Sequence, residues 1–271
     1  MLQAIISPAK QMRVAADTFA PRGIPPFPAR TERLYRELVA IERAQGPEGL
    51  RSLWRVNDKL LAENIERLHS FVPVLDDMQL DDPLVARAVS PAVFSYVGIQ
   101  YRSMAPEVMG FTELEWLQEH LWILSGSYGC VRPFDAVEPY RLEMGAKLAV
   151  DGARDLYAFW GDALAQAICA GDDPTTVVNL ASVEYAKAVL PHLPESARVV
   201  TCIFGEDLRN GRPVQRATAS KIARGSMVRW MAEHGTVDAR DLEHFDVGYT
   251  LAPDLCSERN RERVLVFMHT P

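Results

Sequence analysis
The side chains that could do chemistry in this 271-residue chain gather in a few short stretches. In the first, 124–145, Ser125, Tyr128, Arg132, Asp135, Tyr140, Arg141 and Glu143 lie between Gly126, Gly129, Pro133, Pro139 and Gly145. Glycine opens backbone geometry that other residues resist, and proline fixes φ and removes a donor, so this stretch is not a helix. It follows the apolar Trp122-Ile123-Leu124, as a hydrogen-bonding loop mounted on a scaffold would. The alternative is a buried crossover in which Arg132 and Asp135 pair structurally and the tyrosines are core residues with satisfied hydroxyls.

A second stretch, Ser7-Pro8-Ala9-Lys10, leaves a strand-like run at its carboxyl end, where sheet proteins commonly meet ligands. A lysine there pairs an anion or, if desolvated, acts as a nucleophile; otherwise it is an ordinary surface lysine. A third holds Asn179, Ser182, Glu184 and Tyr185, at the junction of an apolar run and a helix that Ser182 is placed to cap. The fourth is basic: Arg209, Arg212, Arg216, Lys221, Arg224 and Arg229 follow one another with no acid among them, although the chain has a formal net charge of −7. Lys221 and Arg224 are spaced to share a helix face, near the end where the dipole favours anions. A phosphate or carboxylate partner is one reading; a solvated face paired with acids elsewhere is the other.

The elements that must position these groups are α-helices and strands in irregular alternation. Strands are expected at 2–6, 122–124, 176–180, 249–251 and 264–268. A hairpin is expected from 198–204 and 213–217 about Asn210-Gly211. Helices are expected at 30–45, ended by Gly46-Pro47, at 47–55, and from an Asn57 or Asp58 cap to His69. Further helices are expected at 112–120, 156–170, 218–234 and 238–244. Residues 13–29 read as a surface loop, and the acidic 73–92 as a solvated connection with a short helix. The fold class is α+β: residues 1–271 form a single compact mixed domain, a central mixed β-sheet flanked by helices with a helical lobe at 30–70 and a cleft between them.

At 48% hydrophobic and 24% charged, the composition is that of a globular protein rather than a disordered chain. No apolar run reaches the length of a membrane span and no secretory signal is visible, so the expectation is a cytoplasmic protein with no membrane partner. Cys130, Cys169, Cys202 and Cys256 lie far apart, against a zinc ribbon or disulfide framework. Cys130 lies inside the 124–145 stretch, and a peroxide-sensing role would need exposure and a depressed pKa. The histidines show no ligand spacing, and neither a Rossmann glycine fingerprint nor a Walker loop is present, so no metal and no cofactor is expected.

Several motifs in fixed order resemble one family. They are Ile6-Ser7-Pro8-Ala9-Lys10, Asn57-Asp58-Lys59-Leu60, Leu124-Ser125-Gly126-x-Tyr128-Gly129, Arg132-Pro133-x-Asp135 and Pro139-Tyr140-Arg141-Leu142-Glu143-Met144-Gly145. Tyr157-Ala158-Phe159-Trp160-Gly161, Asn179-Leu180-Ala181-Ser182-x-Glu184-Tyr185 and Lys221-x-Ala223-Arg224-Gly225 complete the set. Together they resemble the YaaA family of peroxide-stress proteins. The resemblance implies a single mixed domain with a helical lobe beside a cleft, and DNA binding through a basic cleft with a helix-hairpin-helix element. The chain departs from the family where an acid is usual, having Gly98-Ile99-Gln100-Tyr101. It departs again where a lysine and a serine are usual, having Val214 and Ala217.

Three functions stay open at this level. One is DNA binding along Arg209, Arg212, Arg216, Lys221, Arg224 and Arg229. A second is an enzyme on a small anionic or nucleobase-like substrate, with Lys10, Lys221 and Glu184 as catalytic groups. In that case Ser7, Ser125, Tyr128, Arg132, Asp135, Tyr140, Arg141, Glu143, Asn179, Ser182, Tyr185 and Arg224 would contact the ligand. The third is a non-catalytic interaction protein.

Overall fold
Leu2–Ile6 is buried along its whole length and forms the axis of the fold. A parallel strand covered on both faces reads as a continuous apolar run rather than an alternation. The structure, a computed structural model, describes residues 1–171 and 173–270. Leu2–Ile6 pairs in parallel with Leu121–Ser125 on one side and Thr176–Leu180 on the other. Arg198–Gly205 and then Glu262–His269 continue the parallel sheet. Gly129–Val131 pairs antiparallel with Leu121–Ser125 at one edge, and Tyr249–Leu251 and Ser257–Arg259 pair antiparallel with Glu262–His269 at the other. The result is an eight-stranded mixed sheet flanked by helices, in agreement with the α+β expectation.

Among the parallel strands, the second in the chain lies on one side of the first, and the third, fourth and fifth follow on its other side. That is a doubly wound order, with its switch point between Leu2–Ile6 and Thr176–Leu180. Successive side chains alternate between faces. Leu2, Ala4 and Ile6 face a core containing Phe94, Met104, Met227 and Trp230. Ile5 faces the other, with Leu34, Leu50, Trp54 and Trp160.

The helical lobe consists of Pro28–Trp54 and Asp58–Ser70. The break expected at Gly46-Pro47 is present as a kink, with Gly46 at φ 66 and ψ −171. Asn57 is the cap of the second helix, its side chain accepting the Leu60 N–H at 3.0 Å. Arg55, in the link, sits in the left-handed region at φ 52. Surface charges of the lobe pair with one another, as in Arg36–Glu32, Arg33–Glu37 and Arg67–Glu63, so its outer face is mixed rather than basic.

Other local expectations need correction. The 156–170 stretch is two helices, Leu156–Trp160 and Ala163–Ile168, because Gly161 turns the chain at φ 53. The 198–204 run is not a hairpin arm. Its continuous apolar character belongs to an inner parallel strand, and the hairpin about Asn210-Gly211 pairs Asp207–Arg209 with Arg212–Val214. The acidic 73–92 connection contains a 3-10 helix, Asp77–Asp81, and a helix, Pro83–Ala88. Asp76, Asp77 and Asp82 accept backbone N–H groups of Met78, Ile24 and Leu84 there.

Two short helices, Ala92–Ser95 and Ile99–Met104, were not apparent as periodicity. The long helix Ala217–Glu233 packs closely on the second of these. A Cβ on Gly225 would lie 2.0 Å from the Gln100 carbonyl oxygen, so only glycine allows the approach. Among the described residues, no helix is long and apolar enough to cross a membrane.

Candidate functional site
The carboxyl ends of Leu2–Ile6 and Thr176–Leu180 open a crevice at the switch point, where doubly wound sheets place their ligands. A cavity of about 500 Å³ lies there. Ser7–Gln11 leaves the first strand along its floor, and Ser182, Glu184 and Tyr185 follow the neighbouring strand. Its walls are 97–101, 140–143, and Lys221 with Arg224.

The floor is tied together by short polar contacts. The Ser182 N–H donates to Ser7 Oγ at 2.8 Å, and the Ser7 hydroxyl donates to Ser182 Oγ at 3.1 Å. Gln100 Nε2 and the Tyr101 hydroxyl each donate to the Ser7 carbonyl at 3.1 Å, fixing the 97–101 wall to the floor. This wall escaped the site reading of the sequence. Its helix is too short for a periodic signal, and the cue in the chain is Gly98-Ile99-Gln100-Tyr101, where the family pattern usually has an acid.

The charged groups fall into two kinds. Lys10 Nζ lies 2.8 Å from Glu143 Oε1, and Arg141 Nη2 lies 2.7 Å from the same oxygen. Arg141 is nine-tenths buried and also donates to the carbonyls of Lys10 and Trp54, at 3.4 Å each. Glu143 is thus neutralised by two cations. Lys221 and Arg224 are different: among the described residues neither enters an ion pair, whereas Arg229 on the same helix holds Glu233 at 2.7 Å. Arg224 Nε is buried without a hydrogen-bond partner, and burial pushes the guanidinium pKa down. Glu184 Oε1 accepts the Gly145 N–H at 2.8 Å.

The cavity tyrosines carry neutral hydroxyl groups. Tyr140 lines the cavity with its hydroxyl 2.6 Å from Ser125 Oγ and 3.1 Å from Tyr96 OH. Burial pushes it up to about 12, against the pull of those hydrogen bonds. Burial likewise raises Tyr101 and Tyr185. A phenol so shifted keeps its proton at neutral pH and is not a resting base.

The structure therefore brings Ser7, Lys10, Tyr140, Arg141, Glu143, Ser182, Glu184, Tyr185, Lys221 and Arg224 to one concavity, from segments far apart in sequence. Other expected site residues lie elsewhere. Ser125 stands behind Tyr140, its Oγ accepting the N–H groups of Ser127 and Tyr128. Tyr128 is in the core, its hydroxyl accepting the Glu138 N–H at 2.9 Å. Asn179 holds its strand end, accepting from Ala181 N and donating to Thr201 Oγ1.

Arg132 is at the amino end of the sheet. Its guanidinium stacks 3.8 Å over the Trp122 ring, and Nη1 donates to Gln3 Oε1 at 2.8 Å. Burial lowers its pKa to about 10. Asp135 meets Arg132 through the backbone, accepting its N–H at 2.7 Å, and burial raises its carboxyl to about 7. These are structural contacts, and the expectation that Arg132 joins the cavity is not met. Of the basic stretch only Lys221 and Arg224 face the cavity; Arg209, Arg212 and Arg216 are exposed on the hairpin and at the head of the long helix. Cys130 is fully buried, and burial pushes its thiol pKa up, the opposite of what peroxide chemistry requires. Among the described residues, no group of three or more His, Cys, Asp or Glu side chains could hold a metal ion.

Comparison with known proteins is in keeping with the motif order. A UPF0246 protein of Pediococcus pentosaceus is 41% identical over 257 residues, 94% of this chain and 95% of that protein. A UPF0246 protein of Limosilactobacillus fermentum is 43% identical over 258 residues, 95% and 97% of the two chains. Another, from Desulfitobacterium hafniense, is 40% identical over 245 residues, 90% of each. A family model described as "Peroxide stress protein YaaA" matches residues 2–255, which spans every wall of the cavity, and the chain belongs to that family.

Proposed function
We propose that the protein binds a phosphate- or carboxylate-bearing ligand in the switch-point cavity, with Arg224 and Lys221 as its anion contacts. Arg224 carries this reading. A partly buried guanidinium without a carboxylate is unfavourable by itself, and folds ordinarily neutralise such groups internally. Here the neighbouring Arg229 is paired and Arg224 is left to the cavity. The volume, about 500 Å³, is in the range of small-molecule sites, and the hydroxyls of Ser7 and Ser182 supply neutral orienting groups. Lys10 is 69% exposed and held by Glu143, so it is not the desolvated lysine that nucleophilic chemistry uses. Binding is therefore the reading, and turnover is not part of it.

Calorimetric titration with inorganic phosphate and with a nucleoside monophosphate tests the proposal. Saturable binding that weakens about tenfold or more in Arg224→Ala is the expected result, since a charged hydrogen bond is worth about 1.5–3 kcal/mol. The absence of saturable binding at millimolar concentration would overturn it. A second reading, contact with a nucleic-acid backbone, is favoured by one observation: Arg209, Arg212 and Arg216 are exposed and enter no ion pair among the described residues.

A further inference from the structure
The two charged walls of the cavity rise from opposite faces of the sheet. Lys221 and Arg224 belong to Ala217–Glu233, whose Ala223 and Met227 pack with Ile6 and Val178. Glu184 belongs to a segment whose Tyr185 and Ala186 pack with Ile5 and Val177 on the other face. The cavity spans the carboxyl edge of the sheet between them.

Among the described residues, Lys221 and Arg224 on the cationic wall enter no ion pair. On the opposite wall Glu184 receives the Gly145 N–H and enters no ion pair among the described residues. An ionised carboxylate has about four acceptor positions, so Glu184 keeps capacity for donors from an occupant. Glu143 differs in being paired, with Lys10 and Arg141 sharing its Oε1. Lys10 and Arg141 together offset Glu143 and Glu184, so the formal charges at this end of the cavity balance, and the excess positive charge lies at Lys221 and Arg224. A phosphate at Lys221 and Arg224 with neutral hydroxyls at Glu184 leaves the lining charges balanced, whereas an added ammonium group would leave the cavity net positive.

We infer that the occupant is a phosphorylated polyol, with its phosphate at Arg224 and Lys221 and hydroxyls donating to Glu184. This inference rests on the anion-binding reading and specifies the other end of the ligand. The cavity volume suits a sugar phosphate better than a bare inorganic ion.

Titration of the full chain with inorganic phosphate, ribose 5-phosphate, 2-deoxyribose 5-phosphate and phosphoethanolamine tests it. The expected order places ribose 5-phosphate about tenfold or more tighter than inorganic phosphate, with the deoxy sugar between them. Phosphoethanolamine gains nothing over phosphate. Glu184→Gln keeps an acceptor for the Gly145 N–H, so the fold is expected to survive, checked by near-UV circular dichroism. In that variant the ratio of sugar-phosphate to phosphate affinity shrinks to about threefold or less. The deoxy sugar probes the same contact without any mutation.

If none of these phosphates binds, the anion-binding reading fails and this inference fails with it. If phosphate binds in an Arg224-dependent way but the sugar gains nothing, or its gain survives both Glu184→Gln and removal of the hydroxyl, this inference alone is overturned. A preference for phosphoethanolamine would overturn the polyol in favour of a cationic end.

Discussion
Arg224 illustrates how a single residue can serve a site at the expense of the fold. Its guanidinium is partly buried with no ion-pair partner among the described residues, so an apolar side chain of similar length should be tolerated at least as well. Arg224→Met is expected to abolish phosphate binding while leaving the urea-unfolding free energy unchanged or raised by about 1 kcal/mol. A loss of 2 kcal/mol or more, on the order of a broken buried pair, would mean that the arginine is structural. Glu138 makes a different prediction. It is 6% exposed, accepts the Val72 N–H at 3.1 Å, and burial raises its carboxyl to about 8 against that hydrogen bond. An unfolded glutamate titrates near about 4.3, so between about 4.3 and 8 the folded chain holds a proton that the unfolded chain has released. The stabilisation is complete below the lower value and is lost as pH rises through the upper one. Asp135, raised by burial to about 7, acts in the same direction. Urea denaturation should therefore show stability falling by about 2–4 kcal/mol between pH 5 and 8.5, and Glu138→Gln should roughly halve that fall. An unchanged slope in the variant would show that Glu138 does not carry the titration.

At the scale of elements, the cavity depends on how closely Ala217–Glu233 approaches Ile99–Met104. Gly225→Ala would place a methyl 2.0 Å from the Gln100 carbonyl oxygen, which is backbone and cannot rotate away. The helices must separate, at a cost of about 1–3 kcal/mol, and Lys221 and Arg224 move with their helix. A lowered melting temperature together with weakened phosphate binding is expected; full affinity in a folded Gly225→Ala protein would show that the cavity does not need this contact. The helix itself was legible from its pattern, and so were the Gly46 break, the Asn57 cap and the buried runs 2–6 and 176–180. Those signals are local. The order of the parallel strands was not legible, because each pairing joins segments separated by a long crossover. The same limit explains the misplaced hairpin: Arg198–Gly205 looked ready to fold back locally, but its partners are Thr176–Leu180 and Glu262–His269. At the site, motif position correctly suggested that Lys10, Arg141 and Arg224 could meet. It failed for Arg132, since nothing along the chain distinguishes an arginine facing a cavity from one stacked on Trp122.

For the whole molecule the question is whether the basic stretch works as a surface or as a point. The chain carries a net charge of −7, which repels a polyanion at long range. In the lobe, Arg33, Arg36 and Arg67 are each paired with a glutamate and offer a polyanion no free charge. Against this, Arg209, Arg212 and Arg216 are exposed and can reach a phosphate backbone without giving up an ion pair. A backbone contact releases condensed counterions, so the logarithm of affinity falls with the logarithm of salt by about 0.9 per phosphate neutralised on duplex DNA. If the surface is used, Arg212→Ala and Arg216→Ala should each weaken binding to a short duplex modestly and flatten that slope by about one contact, with little change in sequence preference. If only the cavity is used, both variants should bind ribose 5-phosphate as the wild type does, and Arg224→Ala alone should lose it. Titrating duplex DNA and ribose 5-phosphate against all three variants at two salt concentrations separates the cases. Loss of the small ligand in Arg212→Ala would contradict the cavity reading, because Arg212 lies on the hairpin and lines no part of that concavity. No measurable duplex affinity for the wild type at low salt would exclude the surface reading and leave the switch-point cavity as the binding site.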